Sequence, residues 1–243
     1  MNHLHSVFAL AGLLLGAAIV PAVSNEGATP TPSFRPEQAL PRSAGFDYDV
    51  PEPGSYQLPV LKEAADGEVL DAQGRKRSLR DLARGRITVL SFIYTRCASA
   101  NACPRATGML KQVHRLSETD ASLAEALRLV TLSFDPVHDT PERMAKYAAW
   151  SRTDKPAADW HFLTTPSEAR LAPILAAYDQ AVDRRANMDD PLGPYFHPVR
   201  VYLIDRQGRV RNIYSFGTLD PRLVVTDART LLLEEKAKPG TTR

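Results

Sequence analysis

Ile87-Thr88-Val89-Leu90-Ser91-Phe92-Ile93-Tyr94-Thr95-Arg96-Cys97-Ala98-Ser99-Ala100-Asn101-Ala102-Cys103-Pro104 is the stretch that sets the architecture of this 243-residue chain. Its first eight residues carry no charge and are rich in β-branched and aromatic side chains, which predicts a buried strand. Pro104 opens a segment in which Ala106, Met109, Leu110, Val113 and Leu116 recur at three-to-four spacing, the period of an amphipathic helix. The chain's two cysteines, Cys97 and Cys103, therefore fall in the turn between a strand and a helix N-terminus, with Cys103 expected at the N-cap and Pro104 at the first helical position. Partial positive charge at a helix N-terminus lowers a thiol's pKa and raises its thiolate fraction. Thiolate exchanges disulfides and binds soft metals, so redox and metal chemistry are both open.

Working outward, Gly67–Arg75 reads as a short hairpin and Ser78–Leu82 as a brief helical turn. Leu127–Phe134 is a second buried strand, Pro141 opens a helix through Met144, Tyr147 and Ala148, and Trp160–Thr164 is a short strand. A helix follows from Ser167 to about Tyr178. Val199–Ile204 and Arg209–Tyr214 pair through Asp205-Arg206-Gln207-Gly208, and a last helix runs from Pro221 to about Lys236. Strands alternating with helices and closing in a hairpin plus helix predict an α/β fold with a central mixed β-sheet flanked by helices. A strand–Cys–helix opening on such a sheet is the thioredoxin-like arrangement. No internal repeat, Gly-rich phosphate loop or serine-nucleophile elbow is visible.

Residues 1–24 contain no Lys, Arg, Asp or Glu, Val7–Val20 is nearly all apolar, and Ala22-Val23-Ser24 offers small residues for cleavage. This predicts a signal peptide or N-terminal anchor and a periplasmic location, with the protein free after cleavage near Ser24 or tethered to the inner membrane by residues 7–20. In that oxidising space a cysteine pair can form a disulfide. Residues 25–56, rich in Pro, Ser, Gly and Ala, read as a flexible tether, 57–237 as one domain, and 238–243 as a disordered tail. Interspersed charges, 30 basic and 28 acidic, give no footprint for nucleic acid.

Phe92-Ile93-Tyr94-Thr95-Arg96-Cys97 with Cys103-Pro104 resembles the cysteine motif of the Sco/SenC family. Asp135-Pro136-Val137-His138-Asp139-Thr140-Pro141 is similar to that family's Asp-Pro-x-x-Asp-Thr-Pro segment, Trp160-His161-Phe162-Leu163 to its next strand, and His197 with Tyr202-Leu203-Ile204-Asp205 and Gly208 to its metal-histidine segment. The resemblance implies a thioredoxin-like domain that binds copper, Cu(I) or Cu(II), through Cys97, Cys103 and His197. It implies a metallochaperone that serves the binuclear copper site of cytochrome c oxidase, or reduces that site's disulfide before metallation. The partners would be a copper-accepting respiratory oxidase subunit or another copper or thiol client, together with periplasmic thiol reductants. Two thiolates and an imidazole are donors that suit Cu(I) and can serve Cu(II), and a disulfide between the thiols would withdraw two of the three.

The chain departs from the family pattern twice. Five residues separate its cysteines where the family usually has three, and Phe196 precedes His197 where the family commonly has an acidic residue. The principal alternative is a thiol–disulfide oxidoreductase in which Cys97 and Cys103 are the catalytic redox pair and no metal is needed. An inert disulfide and an interaction module with a degenerate site are the blander readings. His114 is expected on a solvated helix face and His161 in a strand. His138 and Met188 are minor ligand candidates, Arg96 either steadies a thiolate or is exposed, and Asp135, Asp139 and Pro141 are expected to brace their loop and cap the next helix.

Overall fold

The strand that precedes the cysteines spans Ile87–Ile93 and is buried at every position, which fits its uncharged sequence. The computed structural model describes residues 45–99 and 102–237; the expected signal peptide or anchor at 1–24, the tether as far as residue 44 and the tail at 238–243 lie outside them. In chain order the elements are β1 (Lys62–Glu63), β2 (Glu68–Leu70), β3 (Lys76–Ser78), α1 (Leu79–Ala83), β4 (Ile87–Ile93), α2 (Cys103–Ser117), α3 (Ala121–Ala126) and β5 (Leu127–Ser133). There follow α4 (Pro141–Tyr147), a single 3-10 turn at Ala148–Ser151, β6 (Asp159–Leu163), α5 (Glu168–Ala177), β7 (Asp183–Arg184), β8 (Tyr195–Phe196), β9 (Arg200–Ile204), β10 (Arg209–Ser215) and α6 (Pro221–Ala237). Each expected element is present. β1, the short α3, the 3-10 turn and the β7–β8 pair are additions, too brief to leave a periodic signal.

Six strands form one mixed sheet in the order β1-β10-β9-β4-β5-β6. β4, β5 and β6 are parallel, as strands joined through crossover helices must be, whereas β9 runs antiparallel to β4 with Val89 opposite Leu203. Because side chains alternate along a strand, the sheet has two apolar faces. Ile87, Val89, Leu127, Leu129, Val201 and Leu203 pack beneath α2 and α6, where Leu110, Val113, Val224 and Ala228 meet them. Leu90, Phe92, Val130, Leu132, Tyr202 and Ile204 face the other way, toward Leu82, Met144, Leu171 and Ile174 of α1, α4 and α5. The hairpin turn at Asp205 recurs at Asp71. In each, the carboxylate accepts from the amides two and four residues on and from the following Arg Nε, and Gly208 or Gly74 supplies the positive φ.

Two sequence readings are corrected. The domain begins well before residue 57: Phe46 is 7% exposed in the core beneath α2 and α6, and Arg222 Nη2 donates to its carbonyl at 3.1 Å. Tyr56 hydrogen-bonds Asp227 of α6, and the Gly54 amide donates to Thr230 Oγ1 at 3.0 Å. Pro-rich composition hid the aromatic residues that fasten this strap. His114 is buried rather than solvated, its ring 5.5 Å from that of Trp160, and burial lowers its pKa. Its charged neighbours in sequence pointed the wrong way: Arg115, one residue on, is exposed, whereas His114 itself turns inward.

If the strap belongs to the fold, Phe46→Ala lowers unfolding free energy by about 3 kcal/mol in a denaturant titration. A free tether would leave the midpoint unchanged.

Candidate metal centre

The sheet topology brings three distant segments to one place. Parallel β4 and β5 end at the same edge, so the cysteine turn after β4 lies beside the Asp-Pro loop after β5. Because β9 runs antiparallel to β4, with Val201 opposite Ser91, the residues entering β9 reach that edge too. His197 is among them. The C-terminal edge of parallel strands is where open α/β sheets commonly place their ligands.

Beyond β4 the chain turns twice, with the Cys97 amide donating to the Tyr94 carbonyl at 3.3 Å and the Ala102 amide to the Ser99 carbonyl at 3.0 Å. The helix starts one residue earlier than expected. Ala102 is the N-cap and makes no side-chain cap bond, so Cys103 is the first helical residue and Pro104 the second. Cys103 is 1% exposed and its sulfur accepts from the Tyr94 amide at 3.5 Å; Cys97 is partly exposed. His197 Nε2 stands 3.3 Å from the Cys103 sulfur, and the donor atoms of Cys97, Cys103 and His197 all lie within 4.8 Å of one another. The five-residue gap therefore leaves both sulfurs able to meet one ion. Among the described residues this is the single such group. His197 Nδ1 lies 3.3 Å from the Pro198 carbonyl. A carbonyl only accepts, so the ring proton sits on Nδ1 and the Nε2 lone pair faces the sulfurs.

The two thiols differ sharply in acidity. Hydrogen bonding from Cys103 holds the Cys97 thiol down at about 4, so Cys97 is a thiolate at neutral pH. Burial, and then the hydrogen bond it gives Cys97 and that neighbour's charge, push the Cys103 thiol far up. The reduced pair thus shares one proton, with the negative charge on the accessible sulfur. A cleft of about 320 Å³ opens on the pair, lined by Tyr94, Thr95, Pro104, Thr107, Gly108 and Tyr147.

Aromatic rings back the imidazole. Phe134 and Tyr94 meet His197 at centroid distances of 4.8 and 5.9 Å, and Tyr195 packs on both at 5.7 and 5.2 Å. These rings sit beside the cysteine, Asp-Pro and histidine motifs; their placement at strand ends was the available signal, but the sequence reading did not assign them to the site. Asp135 and Asp139, both buried, brace the loops as expected. Asp139 accepts from the Thr95 amide at 3.0 Å and from the Thr95 and Ser133 hydroxyls. Asp135 accepts from Arg96 Nη2 at 2.8 Å and from the Tyr195 hydroxyl at 3.3 Å. Capping falls to Thr140, whose side chain accepts from the Arg143 amide, with Pro141 opening the helix.

The other candidates go elsewhere. Arg96 pairs with Asp135 rather than with a thiolate. His138 lies 3.3 Å from Asp135 and 3.1 Å from Arg96, outside the Cys–Cys–His group. His161 is in β6 as expected, its Nε2 buried without a partner and its pKa lowered by burial. Met188 is exposed, as is Phe196.

Fold and site together define a thioredoxin-like domain with a Cys–Cys–His group at its strand–helix turn. A family model described as SCO1/SenC matches residues 62–233, and the chain belongs to that family. A SCO1 protein homolog of Bacillus subtilis strain 168 is 24% identical over 166 residues, which cover 67% of this chain and 79% of the homolog. The structure of Bradyrhizobium japonicum ScoI with copper bound superposes with a TM-score of 0.56 at 22% identity, covering 69% of this chain and 98% of that one. BsSco, a member of the Sco family of cytochrome c oxidase assembly proteins in which a disulfide switch was identified, superposes with a TM-score of 0.57 at 22% identity, covering 72% and 98%.

Alkylation of the reduced, metal-free protein at pH 6 should modify Cys97 and spare Cys103, as read by peptide mass mapping. Equal labelling, or Cys103 first, would contradict the division of charge.

Proposed function

We propose that this chain is a periplasmic copper metallochaperone that helps assemble a copper site of a respiratory oxidase. The observation that carries this reading is the convergence of two sulfurs and one imidazole nitrogen within 4.8 Å. Copper is cargo here rather than a resident cofactor. Cys97 offers a thiolate at neutral pH, Cys103 contributes a second sulfur when the incoming cation displaces its proton to solvent, and His197 presents a lone pair already aimed by Pro198. Softness of the donors favours Cu(I), and three donors leave room for a fourth from an acceptor protein. The cleft beside Cys97 is where such a donor would enter. Among the described residues no helix is long and apolar enough to cross a membrane; support for the periplasm comes from the uncharged apolar stretch at 7–20 and the small residues up to Ser24.

Oxidation would gate the cargo. Joining Cys97 Sγ to Cys103 Sγ releases two electrons to an oxidant and the pair's remaining proton, and removes two of the three donors. The low thiol pKa of Cys97 also favours a second reading, thiol–disulfide exchange on a client without metal. In that reading Cys97 attacks and Cys103 resolves.

Anaerobic Cu(I) competition titration separates the two. The reduced protein should bind one Cu(I), His197→Ala should weaken binding by at least ~100-fold, the upper end of what loss of a merely supporting group costs, and the oxidised protein should bind none. Indifference to His197→Ala alongside retained exchange activity would favour the oxidoreductase.

A further inference from the structure

Tyr94 touches both halves of the site. Its amide donates to the Cys103 sulfur at 3.5 Å, and its ring meets the His197 imidazole edge-on at 81°. Its hydroxyl donates to the Leu192 carbonyl at 3.2 Å, a bond that spans 98 positions of sequence. The next residue, Gly193, passes so near that a β-carbon there would stand 2.2 Å from the phenol oxygen and 3.0 Å from Cζ. Gly193 also has a φ of +97°, so a side chain is excluded by space and by backbone conformation. Leu192 itself is 48% exposed, whereas the residues after Gly193 are held on their own side by β7 and Arg185, whose amide donates to the Pro194 carbonyl at 2.8 Å. Asp135 secures only the later residue Tyr195.

We infer that Tyr94 and Gly193 form a latch that seats the His197-bearing segment on the cysteine turn, which makes Tyr94 a positioning residue for the third donor. The purpose of the latch rests on the copper reading; its existence does not. β7, Arg185 and Asp135 hold Pro194 to Phe196, and the Tyr94 hydroxyl ties the preceding residue Leu192 directly to the cysteine turn. The directional phenol–carbonyl bond fixes the backbone at Leu192, and the missing side chain at Gly193 allows the approach.

Tyr94→Phe removes the hydroxyl and keeps the ring. Amide hydrogen exchange across residues 192–197 should then quicken about five- to tenfold, the factor that the loss of one net hydrogen bond represents. Cu(I) affinity should fall by a similar factor. In a His197→Ala background the same substitution should cost less affinity than in the wild type, because the latch acts through the imidazole while the hydroxyl's contact with the Cys97 thiolate is common to both. Gly193→Ala should disturb exchange less in Tyr94→Phe than in the wild type, since the oxygen it strikes is gone. Unchanged exchange in Tyr94→Phe, or an equal loss of Cu(I) affinity with and without His197, overturns the latch. If the wild type binds no Cu(I), the copper reading fails and the exchange data alone decide.

Discussion

A site assembled from Cys97, Cys103 and His197 needs two chain segments, separated by 94 positions between Cys103 and His197, to meet within hydrogen-bonding distance. Backbone topology brings them to one edge of the sheet, but loops at a sheet edge have freedom that three-atom coordination cannot tolerate. The interaction that ties both segments to one buried anchor is the carboxylate of Asp135. One side chain accepts from Arg96, the residue before Cys97, and from Tyr195, two residues before His197. Asp139 does the same locally, tying Thr95 to Ser133. A buried carboxylate is costly unless its oxygens are filled. Here they are filled by groups from the segments that need holding, so solvation and positioning are satisfied by the same bonds.

Within that frame the donors are prepared unequally. Cys103 lies at the first turn of α2, buried, with its sulfur accepting from the Tyr94 amide. Cys97 stays partly exposed and carries the negative charge. His197 is walled by Phe134 and Tyr94 and oriented by Pro198, so its lone pair is aimed before any cation arrives. One accessible thiolate, one protected thiol and one oriented imidazole suit an ion that must be taken up and given away again. Phe196, beside His197, is an exposed apolar side chain.

Much of the architecture was legible because its signals were local and strong. The uncharged run at 87–94, the apolar spacing of α2 and the turn chemistry at Asp205-Gly208 each specify one element. Their order specifies the sheet. The Cys–Cys–His convergence was anticipated through resemblance, since nothing in linear spacing alone brings His197 to the cysteines. What stayed hidden depends on tertiary packing. His114 looked solvated because its neighbours in sequence are basic, yet its own face meets Trp160. Phe46 was lost in a Pro-rich stretch, although one buried ring outweighs the surrounding composition. Tyr94 read as the end of a strand, and Gly193 falls in none of the expected elements. Only their mutual approach gives either a role.

The central claim is that the three donors act as one copper-binding unit. X-ray absorption spectroscopy of the anaerobically Cu(I)-loaded protein tests it most directly. The account predicts a first shell of two sulfurs and one nitrogen, with the nitrogen contribution lost in His197→Ala. A shell of sulfur alone in the wild type, or one that His197→Ala leaves unchanged, would contradict it.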